Sequence, residues 1–146
     1  MKLDIYTDAS FSKTHGLAVI GYMISDKLTI LEIKESNNIR AEIRGVITAL
    51  SAAPKSASVT LYTDCQTVAG LIGRRDKLEK TNFISQAKQT PLANADLYKE
   101  FYKIYDQLHP EIIWVKGHTS SKDTKIKKNF STVDKEVRKA LRLALK

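Results

Sequence analysis

The chain has 146 residues, 42% of them hydrophobic, and a formal net charge of +8, which suits one compact domain with a real core. Its apolar runs are too short to cross a bilayer, its start lacks the layout of a secretion signal, and its single cysteine, Cys65, excludes an internal disulfide. We therefore expect a single domain over residues 1–146 that is monomeric, cytoplasmic and without a membrane partner.

The positive charge is confined to the second half of the chain. Residues 1–70 contain 7 Lys and Arg and 7 Asp and Glu, whereas the remainder contains 17 and 9. This excess indicates either a polyanionic partner such as nucleic acid, because each neutralised phosphate releases counterions, or a charged surface that only keeps the protein soluble.

Hydrophobic periodicity divides the chain into strands and helices. Five segments have the alternation or the β-branched and aromatic content of strands: residues 2–8, 15–25, 27–35, 58–64 and 111–118. Helical periodicity marks residues 38–53, 65–73, 94–110 and 130–145, while residues 74–93 are expected to form a short helix and a loop. This element order predicts a mixed α/β sheet with helices against its faces.

Four acidic residues occupy unusual places in these elements. Asp8 and Asp64 each close a Tyr-Thr-Asp sequence at the predicted end of a strand, and parallel neighbouring strands would bring both to one sheet edge. Glu42 lies roughly 75° from the centre of its helix's apolar stripe, and Asp134 sits beside the apolar face of the last helix. Crowded, partly buried acids need compensating charge, which a pair of divalent cations would supply.

Each acid also has a simpler explanation. Asp64 could be the N-cap of the following helix, and Asp8 could be a turn residue. Glu42 could interact with its helix dipole, and Asp134 could pair with Arg138 one turn later. These explanations treat the acids one at a time, and none predicts all four at strand ends or inner helix flanks.

Six short motifs follow one another along the chain: "YTDAS", "NNIRAEIRGVITAL", "LYTDCQTVAGL", "NADLYKEF", "WVKGH" and "VDKEVRKAL". In this order they resemble the ribonuclease H family, in its bacterial type with a single catalytic domain. The resemblance implies a five-stranded mixed sheet with helices on both faces. Its first three strands would be antiparallel, and the fourth and fifth would be parallel to the first.

The resemblance also implies an active site. Asp8, Glu42, Asp64 and Asp134 would be catalytic metal ligands, and His118 would assist proton transfer or product release. Carboxylates without thiols suit Mg²⁺, with Mn²⁺ as a substitute, and two such ions about 4 Å apart can promote phosphodiester hydrolysis. The implied reaction is cleavage of the RNA strand of an RNA/DNA hybrid, which leaves 5′-phosphate and 3′-hydroxyl ends.

Substrate contacts are implied as well, at Asn38, Gln66, Asn94, Arg74, Arg75 and Lys77. The Asn37–Asn38 pair lies one residue further from Glu42 than is usual in the family. Asp76 and Glu79 dilute the basic segment around residues 73–80, for which a solvated helix face is the alternative explanation.

Two further positions, 9 and 123, bear on the resemblance to the family. Ala9 stands where the family usually has Gly, and Asp123 in a Lys-rich loop is a rival to Asp134, which we prefer because a helix flank fixes a carboxylate better.

One alternative function is a junction resolvase or transposase-like nuclease of related architecture. Another is a basic nucleic-acid-binding protein without catalysis, against which the four intact acids argue.

Overall fold

The computed structural model describes residues 1–115 and 124–146. Its strands are β1 (Lys2–Ser12), β2 (Leu17–Ile24), β3 (Lys27–Lys34), β4 (Ser58–Thr63) and β5 (Glu111–Trp114). The helices of the described residues are α1 (Asn38–Ala52), α2 (Gln66–Lys80), α3 (Ala95–Leu108) and α4 (Thr124–Ala144).

The predicted mixed sheet is confirmed, with its strands in the order β3-β2-β1-β4-β5. β1, β2 and β3 are antiparallel neighbours, while β4 runs parallel to both β1 and β5. The β2–β3 turn explains part of this arrangement, since Ser25 and Asp26 have φ angles of 49° and 65° between the paired residues Ile24 and Lys27. Two positive φ angles in a two-residue loop match the twist of a hairpin.

Helices cover both faces of the sheet. One face packs against α1, α2 and α3 through a cluster that includes Ile43, Leu50, Val68 and Phe101. The other face packs against α4, and the apolar face predicted for this helix is buried through Phe130, Val133, Val137 and Leu141. None of the helices in the described part of the chain is long and apolar enough to span a membrane.

Gly21 on β2 allows α4 to approach the sheet closely. A Cβ atom at this position would lie 2.5 Å from Val137 Cγ1, so any larger residue would push the helix away. Gly21 is also the β2 partner of Asp8 in the strand register. The close packing therefore brings α4, which carries Asp134, down onto the part of β1 that carries Asp8.

Two predicted boundaries in the first half of the chain were wrong. β1 does not end at Asp8 but continues to Ser12, because residues 9–12 also pair with β2, with Ser12 opposite Leu17. α2 is one helix from Gln66 to Lys80 instead of two pieces, because its buried Leu71 and Leu78 keep one face on the core.

A third boundary was wrong near the end of the chain. The last helix begins at Thr124 instead of residue 130, because Ile126 also packs against the α4 cluster. The strand β5 ends at Trp114, and the remainder of its predicted range from residue 116 lies outside the described residues.

Candidate active site

The doubled Tyr-Thr-Asp sequence aligns in register across β1 and β4. Tyr6 is paired with Tyr62, and their rings stack with centroids 4.9 Å apart and an interplanar angle of 9°. Phe130 of α4 packs edge-on against Tyr6 at 5.7 Å. Asp8 and Asp64 each follow this tyrosine pair by two residues, so the same register brings Asp8 level with Asp64, which comes directly after β4.

Glu42 joins these two acids from α1. It is 8% exposed and lies on the inner side of the helix, whose N-cap Asn37 accepts a 2.8 Å hydrogen bond from the Arg40 backbone N–H. Glu42, Asp8 and Asp64 each offer a carboxylate oxygen, and the three oxygens lie within 4.8 Å of one another. We call these three side chains the carboxylate cluster.

The N-cap explanation for Asp64 does not hold. The N-cap of α2 is Cys65, and its side chain makes no capping hydrogen bond. Asp64 therefore lies just before the N-cap residue, in the turn between β4 and α2. The turn explanation for Asp8 also fails, because this residue lies inside β1.

Asp134 lies next to the carboxylate cluster and also has the predicted helix partner. Its carboxylate interacts with Asp8 and contributes to the raised pKa of that acid, and Arg138 Nη2 donates to Asp134 Oδ2 at 2.6 Å. Its two explanations are therefore compatible, and Arg138 balances part of the negative charge at this edge. His118 and Asp123, the rival candidate for the fourth acid, lie outside the described residues.

Burial and repulsion dominate the electrostatics of the cluster. Burial first, then the charge of Asp64 and the interaction with Asp134, raise the pKa of Asp8 to about 8, although the Ala9 backbone N–H donates to Asp8 Oδ1 at 2.8 Å and opposes this shift. Burial, followed by the charges of Asp8 and Asp64, raises the pKa of Glu42 well above its usual value. Burial and mutual repulsion therefore shift both carboxyl groups toward their protonated forms.

The cluster fits a divalent cation chemically. All its donors are carboxylate oxygens, the ligands that Mg²⁺ and Mn²⁺ prefer. Glu42 Oε2 is buried and has no hydrogen-bond partner among the described residues. A buried polar atom of this kind is costly unless a partner binds it, and a cation would serve as that partner.

Residues of β5 and its end fix the backbone around Asp64. Trp114 Nε1 donates to the Asp64 carbonyl at 3.2 Å, and the Val115 N–H donates to the Thr63 carbonyl at 2.8 Å. The Cys65 N–H donates to Thr63 Oγ1 at 3.0 Å. Sequence analysis missed Trp114, although its place one strand away from Asp64 followed from the predicted parallel pairing.

Three of the predicted substrate contacts lie at helix starts. Asn38 and Gln66 are the first residues of α1 and α2, and both are exposed. Asn94 is the N-cap residue of α3, and its Oδ1 accepts a 3.4 Å hydrogen bond from Arg40 Nη1. Their roles in binding substrate stay predictions.

The basic residues of α2 differ from one another in their surroundings. Arg75 binds both carboxylate oxygens of Asp106 at 2.6 and 2.7 Å and lies 4.8 Å above the ring of Tyr102. Arg74 lies over the ring of Tyr98, and Lys77 is exposed. A substrate phosphate would have to compete with Asp106 for Arg75, so Arg74 and Lys77 are the better candidates.

The sheet order and the carboxylate cluster beside the neighbouring parallel strands β1 and β4 together define a nuclease of the ribonuclease H-like class. A model of the RNase H family matches residues 1–142. The chain belongs to the RNase H family, and it is therefore an enzyme with the nuclease activity of that family.

Individual relatives agree with this assignment. The chain is 33% identical to a ribonuclease H of Treponema denticola, over 83% of this chain and 89% of that protein. It is 29% identical to a ribonuclease HI of Pasteurella multocida, over 86% of this chain and 84% of the relative. Among solved structures, the foamy viral protease-reverse transcriptase in complex with dsDNA shares the fold, with a TM-score of 0.73, 17% identity, and coverage of 92% of this chain and 93% of that chain.

Proposed function

We propose that this protein, as a single catalytic domain, hydrolyses the RNA strand of RNA/DNA hybrids with the help of two divalent cations. Asp8, Glu42, Asp64 and Asp134 would hold the cations, which we take to be Mg²⁺, with Mn²⁺ as a substitute. The observation that carries this proposal is the carboxylate cluster. Its three oxygens lie within 4.8 Å of one another, and Glu42 adds a buried oxygen without a hydrogen-bond partner among the described residues.

The protein residues contribute position and charge to the reaction. Bound divalent cations would promote attack of water on the phosphodiester and stabilise the leaving oxygen, so that 5′-phosphate and 3′-hydroxyl ends result. Asp8 is held within β1 by its pairing with β2, Asp64 directly follows β4, and Glu42 lies on a buried helix face, so the ligands are positioned before substrate binds. His118, by family resemblance, would move a proton or help release product.

Substrate binding would use the three polar residues at helix starts. Asn38 and Gln66 begin α1 and α2 and Asn94 is the N-cap residue of α3, and the positive end of a helix dipole attracts phosphate oxygens. Short polar side chains can also reach the RNA 2′-hydroxyls that distinguish a hybrid from a DNA duplex. Phosphate contacts without sequence preference would come from the basic residues of α2, namely Arg74, Arg75 and Lys77.

We propose that the enzyme works as a monomer in the cytoplasm.

The test is a direct comparison of labelled substrates. An RNA/DNA hybrid, duplex RNA, duplex DNA and a four-way DNA junction are each incubated with the protein and Mg²⁺, with the Asp8→Asn variant as control. We expect cleavage of the RNA strand of the hybrid alone, and none by the variant. Equal cleavage of all duplexes, or cleavage of the junction only, would contradict the proposed specificity.

A further inference from the structure

The solvent side of α4 carries most of the protein's net positive charge. Residues 124–146 contain 8 Lys and Arg against 2 Asp and Glu, and so account for six of the eight net charges. Both acids, Asp134 and Glu136, are half-buried, whereas all eight basic residues are exposed. The exposed charged side chains of this segment are therefore all positive.

Four of these residues form a straight line. At 100° per residue, Lys128, Lys135, Lys139 and Arg142 fall within an arc of about 60°, opposite the face that packs on the sheet. All four are exposed, and none forms an ion pair with a described residue. We call these four residues the α4 basic stripe. It extends over about 21 Å, since an α-helix rises about 1.5 Å per residue.

The α4 basic stripe adjoins the carboxylate cluster. Arg138 lies on the flank of the stripe and donates to Asp134, which in turn interacts with Asp8. A polyanion whose phosphate is held at the cluster can therefore continue onto α4. The length of the stripe corresponds to about six steps of a nucleic acid strand at roughly 3.4 Å each.

We propose that the α4 basic stripe is a second nucleic-acid-binding surface, which holds the part of the substrate that extends beyond the cleavage site. The proposal rests on the proposed function in that the bound polymer is nucleic acid. Charge complementarity favours this partner, because a row of exposed cations gains most from a polymer that carries a regular row of phosphates. An anionic membrane is disfavoured, because the apolar face of α4 is buried against the sheet and is not free to insert.

The test compares two variants with equal reductions in charge. The stripe variant carries Lys128→Gln, Lys135→Gln, Lys139→Gln and Arg142→Gln. The control variant carries Lys27→Gln, Lys34→Gln, Lys55→Gln and Lys103→Gln, four exposed positions on other parts of the chain. Glutamine has nearly the helix propensity of lysine, and thermal melts monitored by circular dichroism check that both variants fold.

Binding to a 20-base-pair hybrid is measured in chelator at several salt concentrations, so that no turnover interferes. If the stripe binds phosphates, the slope of log K against log salt becomes shallower by about 0.9 for each phosphate that is no longer neutralised, or by up to about 3.6 in the stripe variant. The control variant keeps the wild-type slope. Equal changes in both variants, or no change in the stripe variant, would overturn the proposal.

The outcomes separate this proposal from the proposed function. If the hybrid is not cleaved in Mg²⁺ but the slope still changes only in the stripe variant, the catalytic assignment fails and the binding surface stands. If cleavage is normal and the slopes agree, the surface fails alone. Weaker binding of the stripe variant to phosphatidylserine vesicles, with an unchanged hybrid slope, would also overturn it.

Discussion

Glu35 and Glu42 are two shielded glutamates only seven residues apart, yet their surroundings act on them in opposite directions. The side chain of Glu35 is 6% exposed. Burial would raise its pKa, but hydrogen bonds from the Ser36 backbone N–H and two guanidinium groups outweigh burial and lower the pKa. Glu42 is buried beside two further acids, and its pKa is raised.

The difference lies in where each negative charge finds its partner. Arg40 Nε and Arg44 Nη1 lie 2.9 and 3.1 Å from the two oxygens of Glu35, and Arg40 also binds Asp96 with both terminal nitrogens. We call this group of four residues the Arg40 network, which ties the start of α1 to the start of α3 and balances its charges within the protein.

The carboxylate cluster has the opposite character. The largest charge effects on Asp8 and Glu42 come from neighbouring acids, and these charges raise both pKa values. Such an arrangement is expected of a site that binds its counter-charge from solution. The charges of the Arg40 network are therefore balanced within the protein, whereas the carboxylate cluster has the composition of a cation site.

The largest effect is expected from removing a charge of the carboxylate cluster. Asp8→Asn keeps the size of the side chain but removes a ligand charge, and turnover of the hybrid should fall about 10²–10³-fold, since single electrostatic stabilisers of a transition state contribute about 10²–10³. Single-turnover cleavage assays measure this decrease. The control Asp26→Asn, in the exposed β2–β3 turn, should keep the wild-type rate. A wild-type rate in Asp8→Asn would show that the cluster is not the catalytic site.

A second prediction concerns the stability of the metal-free protein. The pKa of Asp8 is about 8 in the folded chain against an ordinary value of 3.8, so the folded state binds more protons than the unfolded state between these values. Stability should therefore be highest near pH 4 and fall by several kcal/mol as pH rises to about 8, since one pKa unit corresponds to about 1.4 kcal/mol. Urea unfolding in chelator at several pH values measures this change.

Two controls accompany this pH profile. Asp8→Asn should flatten the profile, because it removes both the titrating group and its repulsion of Glu42. Millimolar Mg²⁺ should raise the melting temperature of the wild type at pH 8 through binding linkage. A free energy of unfolding that rises between pH 4 and pH 8, or a melting temperature that Mg²⁺ does not change, would contradict repulsion among the acids of the carboxylate cluster.

Breaking the Arg40 network should have a moderate effect on stability. Arg40→Ala removes one of the two guanidinium partners of Glu35 and the guanidinium partner of Asp96, which should cost about 2 kcal/mol, less than for a deeply buried pair. Arg75→Ala, which breaks a more exposed pair with Asp106, should cost less. Urea unfolding at neutral pH compares the two. A larger decrease in Arg75→Ala would reverse the assignment of the Arg40 network as the structural one.

The smallest effect is expected at Trp114. Trp114→Phe keeps an aromatic ring but removes the hydrogen bond to the Asp64 carbonyl, so Mg²⁺ should be bound about fivefold more weakly, as expected for a bond worth about 1 kcal/mol. Calorimetric Mg²⁺ titration without substrate measures this change. Tyr102→Phe removes a hydrogen bond to the Leu71 carbonyl in the core and should lower stability without weakening Mg²⁺ binding. Equal Mg²⁺ affinity in Trp114→Phe and the wild type would deny Trp114 a positioning role.

Much of the fold follows from the sequence because its signals are local. The apolar stripe of α4 and the short break between residues 25 and 27, where one predicted strand gives way to the next, are readable from neighbouring residues, and both are confirmed. The end of β1 is not local, since Ser12 belongs to the strand only because β2 pairs with it. In the same way, nothing near Arg40 indicates that its partner Asp96 lies 56 residues away.

The gathering of Asp8, Glu42 and Asp64 was predictable because repeated motifs and helix phase constrain where carboxylates emerge. Their electrostatics were predictable only in outline. The surroundings of the buried Glu42 Oε2 and the bond from Trp114 to Asp64 depend on small distances between separate elements, which no local pattern encodes.

The decisive experiment is cleavage of an RNA-labelled hybrid in excess chelator, followed by addition of Mg²⁺ to the same sample. If the carboxylate cluster works through bound divalent cations, the RNA strand stays intact in chelator and is cut once Mg²⁺ is in excess. Cleavage at the full rate in chelator would show that the enzyme does not depend on cations at this cluster.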